Sequence, residues 1–343
     1  MLQGIMDSSR LAVDISDNIL KAVYGNSSSI KCAEILKLED NCITDGKIID
    51  MEAVRKALDG FIVKTNIKNR NVSFSIHGQD VVVRQIECPA LKEKGLREAA
   101  EWEIGQNLPG GGENHYIDYE VLDKKDIKKN KSVKLMVAAA PREKVDQLIS
   151  LSQKLKLKVQ SVDVYSNCIV RVFNRICRNG KAVGILDMGD VTTSFTIIDN
   201  GKLFIDREVP FGLNNIKYFL ARRENIGLEF VDKHIYESID FSALRTTDEV
   251  QSRMKIMLDN MCSTFQNVIR FYNMGRTEQD LEYIYVIGAG AKLKGFEFYI
   301  KSYFGCKVQS LSSQKVMNHK IKLPADVDYS KFISTIGLLM RKE

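Results

Sequence analysis

Residues 185–195 read ILDMGDVTTSF, an apolar run that closes on an aspartate, a glycine and two threonines. The preceding VGIL suits a buried strand. The Gly, Asp and Thr residues suit a sharp turn into SFTIIDNGKLFIDREV, whose own DNG marks a second reversal. A carboxylate at the end of a buried strand is costly unless it is paired, hydrogen-bonded or set beside a cation. Gly189 removes a side chain where a ligand could approach the backbone. Thr192 and Thr193 offer hydroxyl and N–H donors of the kind that hold a phosphate, with Asp187 near enough to orient hydrated Mg2+. By itself the stretch reads more simply as an ordinary hairpin turn, because short Gly/Asp/Thr motifs are common.

The rest of the chain changes that balance. Near its start, LAVDISDNILKAVY again sets an aspartate, Asp14, where an apolar strand meets a polar turn. Two such hairpins imply an internal duplication. If they face each other, Asp14 and Asp187 can share a metal while the two turns grip phosphates. A third element, VIGAGAKLKG, places Gly288 and Gly290 at a strand-to-helix turn, where small residues let a flat base and ribose reach the backbone.

With 343 residues, 44% of them hydrophobic and 27% charged, the chain has an ordinary globular balance and the length of about two domains. A net charge of +6, spread along the chain, is weak support for nucleic-acid binding, and no nucleic acid is expected as a partner. Seven cysteines form no CxxC pair, and their odd number favours reduced thiols in a cytoplasmic protein. No secretory leader and no uninterrupted apolar stretch of about 18 residues is read, so membrane association would need a partner or an exposed amphipathic surface, and a partner is expected. His77, His115, His234 and His319 show no metal-ligand spacing and read as surface or ordinary structural residues.

Along the first half, RLAVDI and ILKAVYG read as strands, DMEAVRKALDGFIVKT as a helix, and NVSFSIHGQDVVVRQIECP as two alternating strands around a glycine turn. After Pro89 come a helix, LKEKGLREAAEWEIGQNLP, two strands, HYIDYEVLDKK and SVKLMVAAAP, and a second helix, REKVDQLISLSQKLKL. The lysines around DKKDIKKNK read as a solvated hairpin tip. SVDVYSNCIVRVFNRI is a strand entering a helix. In the later helical region Met254, Met257, Met261, Phe265, Val268 and Tyr272 form one apolar face, expected to be core.

In this order and spacing the pieces resemble the actin-like ATPase superfamily, whose two lobes each carry a phosphate hairpin and whose second lobe carries the adenosine glycines. Within it, DISDNILK, EWEIGQNLP, DMGDVTTS with VPFG, and the terminal FISTIGLLMRKE are most similar to the PilM family of type IV pilus assembly proteins, related to the cell-division protein FtsA. The resemblance covers essentially the whole chain. It implies an α/β, duplicated ribonuclease H-like fold, with two lobes around a nucleotide cleft and a small inserted α+β subdomain. The expected first lobe (subdomain 1A) is 8–88 and 160–182, with 328–343 as a helix packing back on it, and the inserted subdomain 1C is 89–159. The second lobe would be 183–217 and 276–327 (2A), with 218–275 as a helical subdomain 2B.

The resemblance also implies ATP and Mg2+ as cofactors. Asp14 and Asp187 would hold Mg2+ through water, and Ser16, Asp17 and Asn18 would form the first phosphate turn. Lys21 would neutralise phosphate as a compact cation, unless it is simply a solvent-facing strand lysine. Gly189, Thr192 and Thr193 would form the second turn, and Gly212, Gly288, Gly290 and Ala291 would line the nucleotide. The implied partners are the cytoplasmic N-terminal peptide of PilN and other pilus assembly proteins, at the inner face of the cell membrane, with homo-oligomerisation open. Leu96, Trp102 and Ile104 could line a peptide groove, although a core role is the simpler reading.

Four departures bear on activity. Ser16 stands where the family commonly has glycine, Asp17 where it has a hydroxyl residue, and Asp190 adds a further carboxylate beside the second turn. Two charges about 4 Å apart interact by about 4 kcal/mol at an effective dielectric of 20, enough to erase useful phosphate affinity if uncompensated. Where relatives carry DVE to position water, this chain reads DVY, and Tyr165, with a reference pKa near 10, is a poor water-orienting base. The expected function is therefore a nucleotide-binding adaptor with weak or absent hydrolysis and no assigned catalytic residue. The alternatives are an active ATPase or small-molecule kinase of the same superfamily, an FtsA-like scaffold, and a type II secretion relative.

Overall fold

The structure, a computed structural model, describes residues 9–16, 18–106, 108, 110–122, 132–177, 181–274, 281–311, 321–322, 324 and 327–341. Asp17 and the lysine-rich tip at 123–131 lie outside them. The chain divides into two compact units. One is Met1–Arg175 with Met317–Val327 and Phe332–Glu343; the other is Ile176–Val316 with Asp328–Lys331.

The first unit opens with strands β1 (Arg10–Ser16), β2 (Ile19–Gly25) and β3 (Ile30–Lys37), an antiparallel meander. The short pair β4 (Ile43–Thr44) and β5 (Lys47–Ile48) leads to helix α1 (Met51–Lys64). Asp50 caps α1, its carboxylate accepting from the N–H groups of Glu52 and Ala53 at 2.9 Å each. Next come β6 (Asn71–Ile76), β7 (Val82–Pro89), α2 (Glu93–Gly105), β8 (His115–Val121), β9 (Ser132–Pro141), α3 (Arg142–Lys154), β10 (Lys158–Val164) and α4 (Tyr165–Ile176). A five-stranded sheet has the order β10-β6-β1-β2-β3, and a separate three-stranded sheet the order β7-β9-β8.

The two strands around HGQD are therefore not a hairpin. β6 runs parallel between β1 and β10, whereas β7 pairs with β9. The chain changes sheets at Gly78, whose φ of +132° suits glycine alone. Buried Lys144 clamps that turn: its ammonium bonds the Asp45 carbonyl and the Asp80 carboxylate, and lies 3.3 Å from Asp45 Oδ2. The small sheet thus begins at Val82, ahead of Pro89. In α2, Leu96, Ala100 and Ile104 recur at i, i+4 and i+8 and are buried with Leu135 and Val137. Trp102 lies off that stripe and is 67% exposed. α3 sends Leu148 and Leu151, with Leu155 just past its end, into the core shared with α1 and the five-stranded sheet.

The second unit repeats the first sheet's topology. β11 (Ala182–Met188), β12 (Thr193–Asp199) and β13 (Lys202–Val209) form an antiparallel meander. Helices α5 (Leu213–Glu224), α6 (Leu228–Glu237) and α7 (Glu249–Asn273) precede β14 (Leu281–Gly288), α8 (Phe296–Phe304) and β15 (Lys307–Ser310). The strand order is β13-β12-β11-β14-β15, with β14 and β15 parallel to β11. The methionine-rich face of α7 is core, with Met254, Met261, Phe265, Val268 and Tyr272 buried and Met257 packed against them.

The last helix, α9 (Ile333–Leu339), belongs to the first unit and is buried along its whole length against β1, β2 and β6. Arg10 Nη2 donates to the carbonyls of Leu338, Leu339 and Arg341 at 3.1, 3.3 and 2.7 Å, satisfying the carbonyls that a helix end leaves open. All seven cysteines are free thiols.

Candidate functional site

Asp14 is the fifth residue of β1 and is buried. Strand register supplies its neighbours: Lys21 is its antiparallel partner on β2, and Ser75 its parallel partner on β6. Ser75 donates its hydroxyl to Oδ1, Ser334 of α9 donates to Oδ2 at 2.7 Å, and Lys21 Nζ lies 3.6 Å from Oδ2. His77 Nε2, one residue beyond β6, is 3.9 Å from Oδ1. Burial pushes the Asp14 carboxyl up. Lys21, His77 and the two hydroxyls together outweigh it and hold the carboxyl below its ordinary value, so the group is ionised. Lys21 is thus not a merely solvent-facing strand lysine.

Ser16 and Asn18 of the first turn are both placed by the fold. Ser16 ends β1, half-buried and opposite Ile19. Asn18 sits at φ +55°, a conformation asparagine tolerates, and its Oδ1 accepts from the Ile43 N–H at 3.2 Å. Tyr165 begins α4 with its ring centroid 5.8 Å from that of His77. The aspartate of DVY, Asp163, is buried. It pairs with Arg171, which it contacts closely, and with Arg341 at 2.8 Å, and it accepts from the Val164 N–H and from Asn167.

In the second unit the hairpin turn is fastened to α5. Gly189 N–H donates to the Thr192 carbonyl at 2.9 Å, Leu213 N–H to Gly189 O at 3.0 Å, and Asn214 N–H to Asp190 O at 2.8 Å. A Cβ at Gly212 would lie 2.5 Å from the backbone of Asp190, so this glycine lets the helix start meet the turn. Thr193 is fully buried and gives its hydroxyl to the Phe211 carbonyl at 2.6 Å. Asp190 is not an uncompensated charge: Lys217 Nζ lies 3.1 Å from its Oδ1 and 2.5 Å from Asp232 Oδ1. Burial would lower the Lys217 pKa, and the two carboxylates more than offset that.

Parallel pairing of β11 with β14 brings Met188 opposite Gly288, uniting DMGDVTT with the distant glycine turn. Gly288 has φ +72°, and a Cβ there would lie 2.2 Å from Asp187 Oδ1 and 2.6 Å from Met188 O. Only glycine fits beside that carboxylate. Gly290 packs on Met188 and Phe296, and Ala291 is buried in the core. Within the first unit the Asp14 carboxylate stands beside Lys21, and within the second the Asp187 carboxylate lies against Gly288; each is a hard oxygen donor of the kind that can orient water around a cation. The side chains of Asn18 and Thr193, and the space at Gly212 and Gly290, are used by the fold itself.

Ser75, His77, Ser334 and Lys217 are neighbours of the candidate aspartates that local motifs do not mark. Each reaches its aspartate through strand register, sheet switching or a distant helix. Among the described residues, no helix is long and apolar enough to cross a membrane.

Two five-stranded sheets of one topology, each with an aspartate near the end of its central strand, and in the second sheet a glycine turn after β14, make this an actin-like ATPase fold. The family is narrower than the fold. The model of the family "Type IV pilus assembly protein PilM" matches residues 12–343, and the chain belongs to that family. The solved structure of a PilM–PilN type IV pilus biogenesis complex is similar with a TM-score of 0.81 and 18% identity, over 97% of this chain and 98% of that one. Ethanolamine utilization protein EutJ from Carboxydothermus hydrogenoformans matches with a TM-score of 0.59 and 14% identity, over 97% and 89%. MreB5 of Spiroplasma citri, solved with AMPPNP bound, matches with a TM-score of 0.54 and 11% identity, over 96% and 95%.

Proposed function

We propose that this protein is a cytoplasmic adaptor of type IV pilus biogenesis that binds ATP with Mg2+ and is recruited to the inner face of the cell membrane by the cytoplasmic N-terminus of PilN. The observation that carries the reading is family membership over residues 12–343 together with near full-length similarity to a chain of a PilM–PilN complex. Nucleotide binding is supported separately by Asp187 against Gly288 and by ionised Asp14 beside Lys21.

In this reading Asp14 and Asp187 hold water molecules of the magnesium shell, and the bound cation offsets phosphate charge. Lys21 adds a compact positive charge. The backbone N–H groups of residues 190–192 would serve as donors, and the glycine at 288 admits the nucleotide close to the chain. Tyr165 stands at the strand-to-helix turn in place of a carboxylate, so ATP is held with little or no turnover.

Titration of fluorescent ATP in Mg2+ tests the nucleotide part. Saturable binding is expected, weakened at least about tenfold in Asp187→Ala by loss of a group that orients the metal shell. Absence of saturable binding to the folded wild-type chain would overturn it.

A further inference from the structure

Ser334 is buried in α9 among Ile333, Thr335 and Ile336. A serine inside a helix ordinarily turns its hydroxyl back on the preceding turn's carbonyl. Ser152 in α3 does this, donating to Leu148 O at 2.8 Å, and Thr335 beside Ser334 donates to Phe332 O at 2.9 Å. Ser334 does otherwise. Its hydroxyl crosses from the end of the chain to the beginning and donates to Asp14 Oδ2 at 2.7 Å.

Two hydroxyls from two elements bond this carboxylate, Ser75 of β6 on Oδ1 and Ser334 of α9 on Oδ2, with Lys21 of β2 at 3.6 Å from Oδ2 and His77 Nε2 at 3.9 Å from Oδ1. A carboxylate has about four lone-pair sites, so these partners fix its plane without exhausting its capacity to accept. The two hydroxyls hold opposite oxygens, which determines the rotation of the group about its Cβ–Cγ bond. α9 is itself held by Arg10 at its end and by the close approach of Gly337 to Cys168, so the Ser334 hydroxyl is presented by an anchored element.

We infer that Ser334 is a positioning residue of the magnesium site, one that with Ser75 sets the orientation in which Asp14 meets the cation's water shell. The inference rests on the nucleotide-binding reading above. It assigns the terminal helix a part in cation binding that its sequence, FISTIGLLMRKE, does not announce.

The test is a Mg2+ titration at fixed fluorescent ATP, set beside the ATP affinity measured without Mg2+. In Ser334→Ala the Mg2+ concentration at half-saturation is expected to rise about tenfold, as for other groups that orient a metal's ligands, with the Mg2+-free affinity unchanged. Ser75→Ala removes the donor on the other oxygen, is expected to shift the same midpoint in the same direction, and decides the question if Ser334→Ala does not fold. A merely structural role would weaken binding equally with and without Mg2+, and that outcome, or an unmoved Mg2+ midpoint in the folded variants, would overturn the inference. If the wild-type chain binds no nucleotide, the nucleotide reading falls and this role with it. Wild-type binding with unmoved variants removes the role of Ser334 alone.

Discussion

Gly337→Ala is expected to destabilise the protein by about 3 kcal/mol or more, the upper end of overpacking costs in a filled core. A Cβ at Gly337 would lie 2.1, 2.6 and 2.7 Å from the carbonyl oxygen, carbonyl carbon and Cα of Cys168. All three are backbone atoms of α4, so no side chain can swing aside, and α9 has to move off α4. For a unit of this size each kcal/mol is worth about 2–4 °C, so thermal unfolding followed by circular dichroism should show a fall of about 6–12 °C. The same exchange at Gly60, exposed in α1 with open space around its Cβ position, is expected to stabilise by up to about 1 kcal/mol through helix propensity alone. Opposite signs for one chemical change test the packing of the terminal helix; equal and small effects would contradict it.

The second large effect is at Asp163. Its carboxylate is nearly inaccessible and faces Arg171 and Arg341, whose side chains are 25% and 39% exposed. Asp163→Ala removes the anion that neutralises both guanidinium groups and strips the Val164 N–H and Asn167 of their acceptor. Breaking a buried ion pair from one side costs about 3–5 kcal/mol, and the partial exposure of the arginines puts this case near about 3. Burial raises the Asp163 carboxyl, and Arg171 followed by Arg341 more than reverses that, holding it below the ordinary 3.8. A depressed folded value means that the unfolded chain binds the proton more readily, so stability rises with pH through this range. The contribution is complete above the unfolded value near 3.8 and is lost as pH falls through the lower folded value. In urea unfolding across pH 2–6, the variant should therefore lose less stability towards acid than the wild type; parallel profiles would contradict the assignment.

Much of the fold could be read from local pattern. An apolar run ending in aspartate and followed by a polar turn occurs at Asp14 and at Asp187, and the structure gives both the same place in sheets of the same topology. The face of α7 was legible because helical spacing alone gathers Met254, Met261, Phe265 and Tyr272. Which sheet a strand joins was not legible, because period-two alternation is the same in β6 and β7, and the separation of the two depends on Gly78 and the buried Lys144.

At the site, motif spacing led to the aspartates and glycines but not to what surrounds them. Ser75 is brought to Asp14 by parallel register across a long connection, and Ser334 by a helix from the opposite end of the chain. The charge of Asp190 is unfavourable in sequence because Lys217, which pairs with it, lies about one turn into a helix beyond an intervening hairpin. Thr193 looked like a phosphate donor, yet strand alternation turns it inward to Phe211. In α2 the apolar residues separated by spacing: Leu96 and Ile104 are core, whereas Trp102 faces solvent.

The role proposed for the chain is that of an adaptor docked by PilN. Its most direct test is calorimetric titration of the purified full-length protein with the cytoplasmic N-terminal peptide of PilN from the same organism, with and without Mg2+ and ATP. Saturable binding at one peptide per chain is expected. A folded protein that takes up no peptide in either condition would contradict it.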